Sequence, residues 1–314
     1  RLIRLQRQMC IRDRVISVDS PIDDKVRSAM ESLIEDYEHV LSRFRNDSLI
    51  ATIGKAEHGG SFDFPDWCAP LFDLYDALFS ATSGAIDPCV GEDLIRLGYD
   101  ASLSFTVTQD APEHLGALRG RAVWGRDVTR HGTTLVTHEP MQLDFGACGK
   151  GYLVDLLGRM LQSSQFVIDA GGDLLIHAEQ PISVALEDPE DQSHAIGIAH
   201  IANGALCASA PSRRHWNVAV NERTQIAIHH LLNAIDGLPA QQTEASWAYV
   251  PANATLNLAR DYPTAVADGL ATALFVSDVA QLQRTFDFTY ATLDESRQIA
   301  VSRNFPADLF LRSA

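Results

Sequence analysis

Hydrophobic positions early in the chain recur at three- and four-residue intervals. Val26, Met30, Leu33, Ile34, Tyr37, Val40, Leu41 and Phe44 share one face and predict a helix over about 23–44. Asp23 and Asp24 stand at its start, where the helix dipole favours anions, and 42–48 ends it. Leu71, Leu74, Tyr75, Leu78 and Phe79 predict a second helix over about 66–82, stopped by Gly84. After Leu143 the period changes. Short apolar runs at 166–169, 174–176, 182–186, 196–201, 205–209, 225–232 and 246–250 read as closely spaced strands. A helix over about 264–276 follows, then a hairpin of 290–293 with 299–302. Strand runs and helix runs are partly segregated, which predicts an α+β fold of mixed or antiparallel sheets flanked by helices. No repeat, low-complexity linker or Pro/Gly-rich hinge interrupts the pattern, so residues 15–314 read as a single composite domain.

Composition narrows the partners. The 314 residues are 46% hydrophobic and 21% charged, enough for a sizeable core. A formal net charge of −16 argues against nucleic-acid binding, because phosphate backbones call for a basic surface. Cys10, Cys68, Cys89, Cys148 and Cys207 are odd in number, scattered and without CxxC spacing, which argues against a disulfide framework or a zinc site. No run of 18 apolar residues predicts a transmembrane helix. Residues 1–14 are basic, lack an initial Met and lead into no apolar core, so they read as foreign or truncated sequence without functional weight. Cys10 follows Arg7-Gln8-Met9, not the small-residue pattern of a lipoprotein processing site. With neither a signal peptide nor a lipobox, the cytoplasm is the expected compartment, left open by the unreliable start.

The stretch 143–155, Leu-Asp-Phe-Gly-Ala-Cys-Gly-Lys-Gly-Tyr-Leu-Val-Asp, reads as a strand end, a tight glycine turn and a helix. Bare backbone N–H groups, a helix N-terminus and the Lys150 cation in one place suit a phosphate. The spacing is not that of a P-loop: no four-residue gap precedes Gly-Lys, and Gly151 follows Lys150 in place of Ser or Thr. It is not a dinucleotide fingerprint either, because Asp144 precedes the glycines. Cys148 reads as a small residue filling a crowded turn, with no His or Asp placed to activate it.

Asp268 and Thr272, four apart, put a carboxylate and a hydroxyl on one helical face. The pair suits a hard cation such as Mg²⁺, although Asp268 alone reads first as a cap or a solvated charge. Either His229 or His230 could act as a general base, but neighbours on a strand point to opposite faces, so the two do not share a role. A structural role is the simpler reading of that pair. Asp87 before Pro88 reads as a turn, and Gly171-Gly172 as a close approach of backbone to a ligand or to another strand.

The order of these pieces resembles the FAD:protein FMN transferase family (ApbE). The matching pieces are Ser42-Arg43-Phe44-Arg45 with Ser48, Gly84-Ala85-Ile86-Asp87-Pro88, and Leu143-Asp144-Phe145-Gly146 with Gly149-Lys150-Gly151 and Asp155. Ala170-Gly171-Gly172-Asp173, His230 with Gly237 and Pro239, and Ala267-Asp268 with Ala271-Thr272 complete the series over about residues 26–312. The resemblance implies an ApbE-like fold and an enzyme that splits FAD at its pyrophosphate. FMN would pass to a threonine of an acceptor flavoprotein, forming a phosphoester and releasing AMP. Positioning and charge neutralisation carry most of such phosphoryl transfer. The resemblance further implies Mg²⁺ held by Asp268, Thr272 and the carbonyl of Ala147. It places Phe44, Ala85, Ile86, Asp87, Asp144, Lys150 and Leu232 against FAD, and His230 beside the attacking hydroxyl as its base.

Three departures from the family pattern stand out. The usual His-x-x-Asp-Pro is His230-Leu231-Leu232-Asn233-Ala234, Cys148-Gly149 replaces a common Ile-Ala, and the N-terminal Gly-Thr strand is not recognisable. A carboxylate at 233 that oriented the histidine would be replaced by a neutral amide, giving a weaker base. Two alternatives therefore accompany the transferase reading: an FAD pyrophosphatase, with water in place of the threonine, and an FAD-binding protein without turnover.

Overall fold

The computed structural model describes residues 2–5, 14–221 and 224–310. Its frame is a nine-stranded sheet in which all neighbours run antiparallel. The strands are β1 (Leu2–Leu5), β2 (Arg14–Val18), β3 (Phe166–Asp169), β4 (Asp173–Glu187), β5 (Ala195–Ser209), β6 (Thr243–Pro251), β7 (Thr289–Asp294), β8 (Ile299–Val301) and β9 (Ala307–Leu309). Their spatial order follows the chain from β1 to β8, and β9 pairs with the first half of β5. The opening segment thus contributes β1 and Arg14 to the sheet edge, while 6–13 lie outside the described residues. The arrangement is α+β, as the segregation of periods predicts.

Four helices position the site: α1 (Asp24–Leu41), α2 (Ala69–Ala81), α3 (Gly149–Gly158) and α4 (Pro263–Ala273). Asp23 caps α1 by accepting from the Lys25 N–H at 2.7 Å, and Met30, Ile34, Tyr37 and Leu41 bury its inner stripe. The helix stops at Leu41, so Phe44 lies beyond it and is free to face elsewhere. A short helix, Leu49–Lys55, follows under a Ser48 cap; at seven residues with two buried, it is too brief to show a period. The C-terminus of α2 closes where the Gly84 N–H bonds back to the Phe79 carbonyl at 2.8 Å.

Two pairs of predicted strands prove to be single strands. Runs 174–176 and 182–186 both belong to β4, where a register irregularity between His177 and Ile182 absorbs Pro181. Runs 196–201 and 205–209 both belong to β5. Gly204 between them takes φ +132°, and a Cβ there would lie 2.4 Å from the Val250 carbonyl oxygen, so the glycine permits the strand to continue against β6. The predicted run 225–232 ends at His229; Thr224–His229 pairs with His215–Asn221 in a separate hairpin.

Alternation sorts the side chains of the sheet. Ala205 and Cys207 join the large core under α3 and α4, whereas Leu206 joins a smaller cluster on the opposite face with Trp247 and Leu293. A third cluster, built from Leu94, Leu97, Tyr99, Trp216, Ile228 and Leu232, stands beside the large one.

The contact between α3 and α4 fixes the rest. A Cβ on Gly151 would come within 2.3 Å of the Thr264 carbonyl oxygen, so the helices meet backbone to backbone. Asp155 of α3 caps α4 from outside, accepting from Thr264 N at 3.1 Å and Ala265 N at 2.8 Å. Burial pushes the Asp155 carboxyl up to about 7, against the lowering effect of those bonds. A folded pKa above the ordinary value of 3.8 means that its contribution to stability is complete below about pH 4 and declines as pH rises through 7. Asp155→Ala is expected to cost about 2 kcal/mol at pH 5 by exposing two buried N–H groups, with a smaller gap from wild type at pH 8. Thermal unfolding at the two pH values measures both; equal gaps would contradict the assignment.

Candidate active site

A cavity of about 250 Å³ opens where the large core meets the third cluster. Phe44, Ala85, Ile86, Asp87, Asp144, Ala147, Lys150, His230, Leu232, Asp268 and Thr272 all line it. Residues spread over more than 220 positions of chain thus line one cavity.

Two buried tyrosines hold the glycine loop. Tyr37 Oη donates to the Gly149 carbonyl at 2.7 Å, and the Ala147 N–H donates to Tyr75 Oη at 3.2 Å. The first oxygen of Asp144 accepts from the Gly146 N–H at 2.5 Å, and its second is paired with Arg43 Nε. Arg43 is almost wholly buried, donates from Nη1 to the Tyr99 carbonyl at 2.6 Å, and lies 4.1 Å from the Phe44 ring centre and 4.7 Å from that of Tyr99. Its planar guanidinium therefore pins Phe44 against the cavity while tying it to the loop. The motif Ser42-Arg43-Phe44-Arg45 assigns Arg43 no role by itself; an arginine next to an aromatic residue is the one local signal for it.

Oxygen atoms converge at the junction of α3 and α4. Thr272 Oγ1 donates to the Ala147 carbonyl at 3.4 Å. One Asp268 oxygen accepts from the Gly151 N–H at 2.9 Å; the other accepts from Lys150 Nζ at 2.9 Å. Lys150 also donates to Asp173 at 2.6 Å. Burial, with the Asp173 charge beside it, pushes Asp268 up to about 7. Burial works against the Lys150 charge, but the two carboxylates outweigh it and raise its pKa. Asp173 is the addition here: the sequence showed it only as the end of a glycine turn. Among the described residues no three His, Cys, Asp or Glu side chains form a metal cluster, so any cation here would rest on mixed oxygen donors.

The two histidines take different partners, but not by strand alternation, because the strand ends at His229 and His230 lies in the bend that follows. His229 donates from Nε2 to the Ala240 carbonyl at 2.7 Å and accepts at Nδ1 from the Leu231 N–H, a structural role. His230 donates from Nδ1 to the Arg214 carbonyl at 3.2 Å, which leaves Nε2 as the acceptor nitrogen. Burial, then the Arg214 charge, pushes His230 down to about 3. Asn233 does not orient it. The Asn233 side-chain oxygen accepts from the Ile235 N–H at 3.0 Å and shapes its own turn.

Asp87 lines the cavity, but its carboxylate turns into the protein. It accepts from Cys89 N at 2.8 Å and Trp124 N at 3.3 Å and faces the fully buried Arg121. Arg121 also pairs with Asp93 at 2.8 Å and donates to the Ala234 carbonyl at 2.6 Å. It joins three cavity-lining segments through long-range contacts for which the sequence carries no local signal. Cys68, Cys89, Cys148 and Cys207 are free, buried and held protonated by burial, so Cys148 is the filler its position indicates.

The model of the ApbE family matches residues 9–292. The chain belongs to the ApbE family. A relative named FAD:protein FMN transferase from Klebsiella pneumoniae (strain 342) is 23% identical over 274 residues, covering 83% of this chain and 74% of the relative. One of the same name from Treponema pallidum (strain Nichols) is 27% identical over 286 residues, covering 80% and 72%. The crystal structure of the ApbE protein from Thermotoga maritima superposes with a TM-score of 0.78 at 18% identity, covering 98% of this chain and 100% of that one. The flavin transferase ApbE from Vibrio cholerae gives 0.75 at 17% identity, covering 97% and 98%. At such identities the structures establish the ApbE fold.

His230 is expected to show no titration above pH 5 when followed by its ring proton resonance. A midpoint near 6.5 would contradict the buried, neutral ring. Asn233→Asp is expected to move that titration by less than about one unit, since residue 233 faces Ile235; a larger rise would restore the carboxylate as its partner.

Proposed function

We propose that the protein is an FAD:protein FMN transferase, cleaving the FAD pyrophosphate, attaching FMN through a phosphoester to a threonine of an acceptor flavoprotein and releasing AMP. The name shared by its relatives supports this reading. The observation that carries it is the meeting, in one cavity, of an oxygen corner, a lysine and a neutral histidine from three separate motifs. The volume is small beside ligand pockets of roughly 300 Å³ and more. Part of a dinucleotide would therefore lie across the mouth, within reach of a second protein.

The donor set fits Mg²⁺. The Asp268 carboxylate, Thr272 hydroxyl and Ala147 carbonyl are hard oxygen ligands, already gathered by the α3–α4 contact, and would hold the cation there. Bound there, Mg²⁺ would neutralise pyrophosphate charge. Lys150 adds a second positive charge beside the phosphates, and the Asp144–Arg43 pair holds the loop and Phe44 against the flavin nucleotide. His230 takes the proton of the attacking threonine at Nε2. Its basicity is low in the protein alone, and phosphate anions nearby would raise it.

FAD, Mg²⁺ and a candidate acceptor incubated with the protein test the reading. Covalent flavin on the acceptor, with AMP formed in step, is expected. Free FMN and AMP beside an unlabelled acceptor would make the protein a pyrophosphatase, and bound FAD without AMP a binding protein. Asp268→Ala is expected to lower the rate at least about tenfold, some 1.4 kcal/mol of barrier; an unaltered Mg²⁺ dependence in that variant would remove the metal assignment.

A further inference from the structure

We propose that Lys150 is a built-in counter-ion that competes with the divalent cation for Asp268, with Asp173 as its permanent anchor. The inference rests on the metal reading above and adds a coupling that the reading does not contain.

The two oxygens of Asp268 are not equivalent. The one bonded to the Gly151 N–H is fixed by the helix contact, because Gly151 is pressed against Thr264. The other is the oxygen that Lys150 holds at 2.9 Å. A cation that ligates Asp268 through this second oxygen must push the ammonium aside. Asp173 keeps hold of it: the 2.6 Å bond runs to one buried oxygen, and the other buried oxygen accepts no hydrogen bond. The lysine side chain remains about one-third exposed where it lines the cavity, so its head can turn without leaving Asp173. Its remaining N–H groups then point to an anion in the cavity. Metal and phosphate would each draw Lys150 the same way, so each would strengthen the other's binding, as linkage requires.

Calorimetric titration with Mg²⁺ alone, paired with thermal unfolding, tests the competition. Lys150→Met is expected to bind Mg²⁺ about tenfold more tightly than wild type, or about 1.4 kcal/mol. It is also expected to melt lower without Mg²⁺, because two buried carboxylates lose their cation, and to recover most of that loss when Mg²⁺ is added. Lys150→Arg, which keeps the charge, is expected to retain the weak affinity of wild type. Lys150→Gln gives the same comparison should the methionine variant not fold. Equal or weaker Mg²⁺ affinity in the neutral variants overturns the competition. If Asp268→Ala loses Mg²⁺ binding in that same case, the metal site stands and only the role of Lys150 fails. If Asp268→Ala binds as wild type does, the metal site fails and the competition with it.

Discussion

The site depends on how closely α3 and α4 approach. Their contact has no side chain between Gly151 and the Thr264 carbonyl, and Asp155 reaches across to cap the partner helix. Both features act on backbone, so the register of the helices is set without adjustable packing. That register places Asp268 one turn into α4, opposite the first turn of α3, where the Gly151 N–H meets it. It also brings Thr272 under the Ala147 carbonyl. A small shift along either helix would disperse all of these oxygens.

Charge follows from the same placement. The chain is acidic overall, yet its cavity gathers Arg43, Lys150 and Arg214 beside Asp144, Asp268 and, just behind, Asp173. Most of these groups are buried and paired, where an unpaired charge would cost several kcal/mol. Pairing makes the arrangement stiff, and exchanging one cation for another becomes the low-cost way for it to respond to an anionic ligand. The neutral His230 is compatible with that economy: burial strips its charge, while the Arg214 carbonyl sets which nitrogen holds the proton.

Most local signals in the sequence match local structure, although the strand end expected at Leu143 is absent: no strand covers 138–148. The period of α1, the stop at Gly84, the glycine turn before α3 and the two-residue alternation of the strands are all decided by nearest neighbours. Boundaries at Pro181 and Gly204 were not, because a bulge and a close strand contact kept β4 and β5 continuous. The cavity lining was legible through the order of motifs. What lay hidden were partners across the chain: Arg121 among three segments, Asp173 behind Lys150, and the Arg214 carbonyl against His230. Asn233 illustrates the converse. Its divergence from the family pattern looked like a weakened base, whereas its side chain serves a turn and leaves the histidine to another element.

The most direct test is an anomalous-scattering map from crystals grown with FAD and Mn²⁺ in place of Mg²⁺. The account predicts a manganese peak within bonding distance of Asp268, Thr272 and the Ala147 carbonyl, with the FAD pyrophosphate beside it and Lys150 turned from Asp268 towards the phosphates. A metal peak elsewhere, or pyrophosphate bound away from the glycine loop, would contradict it.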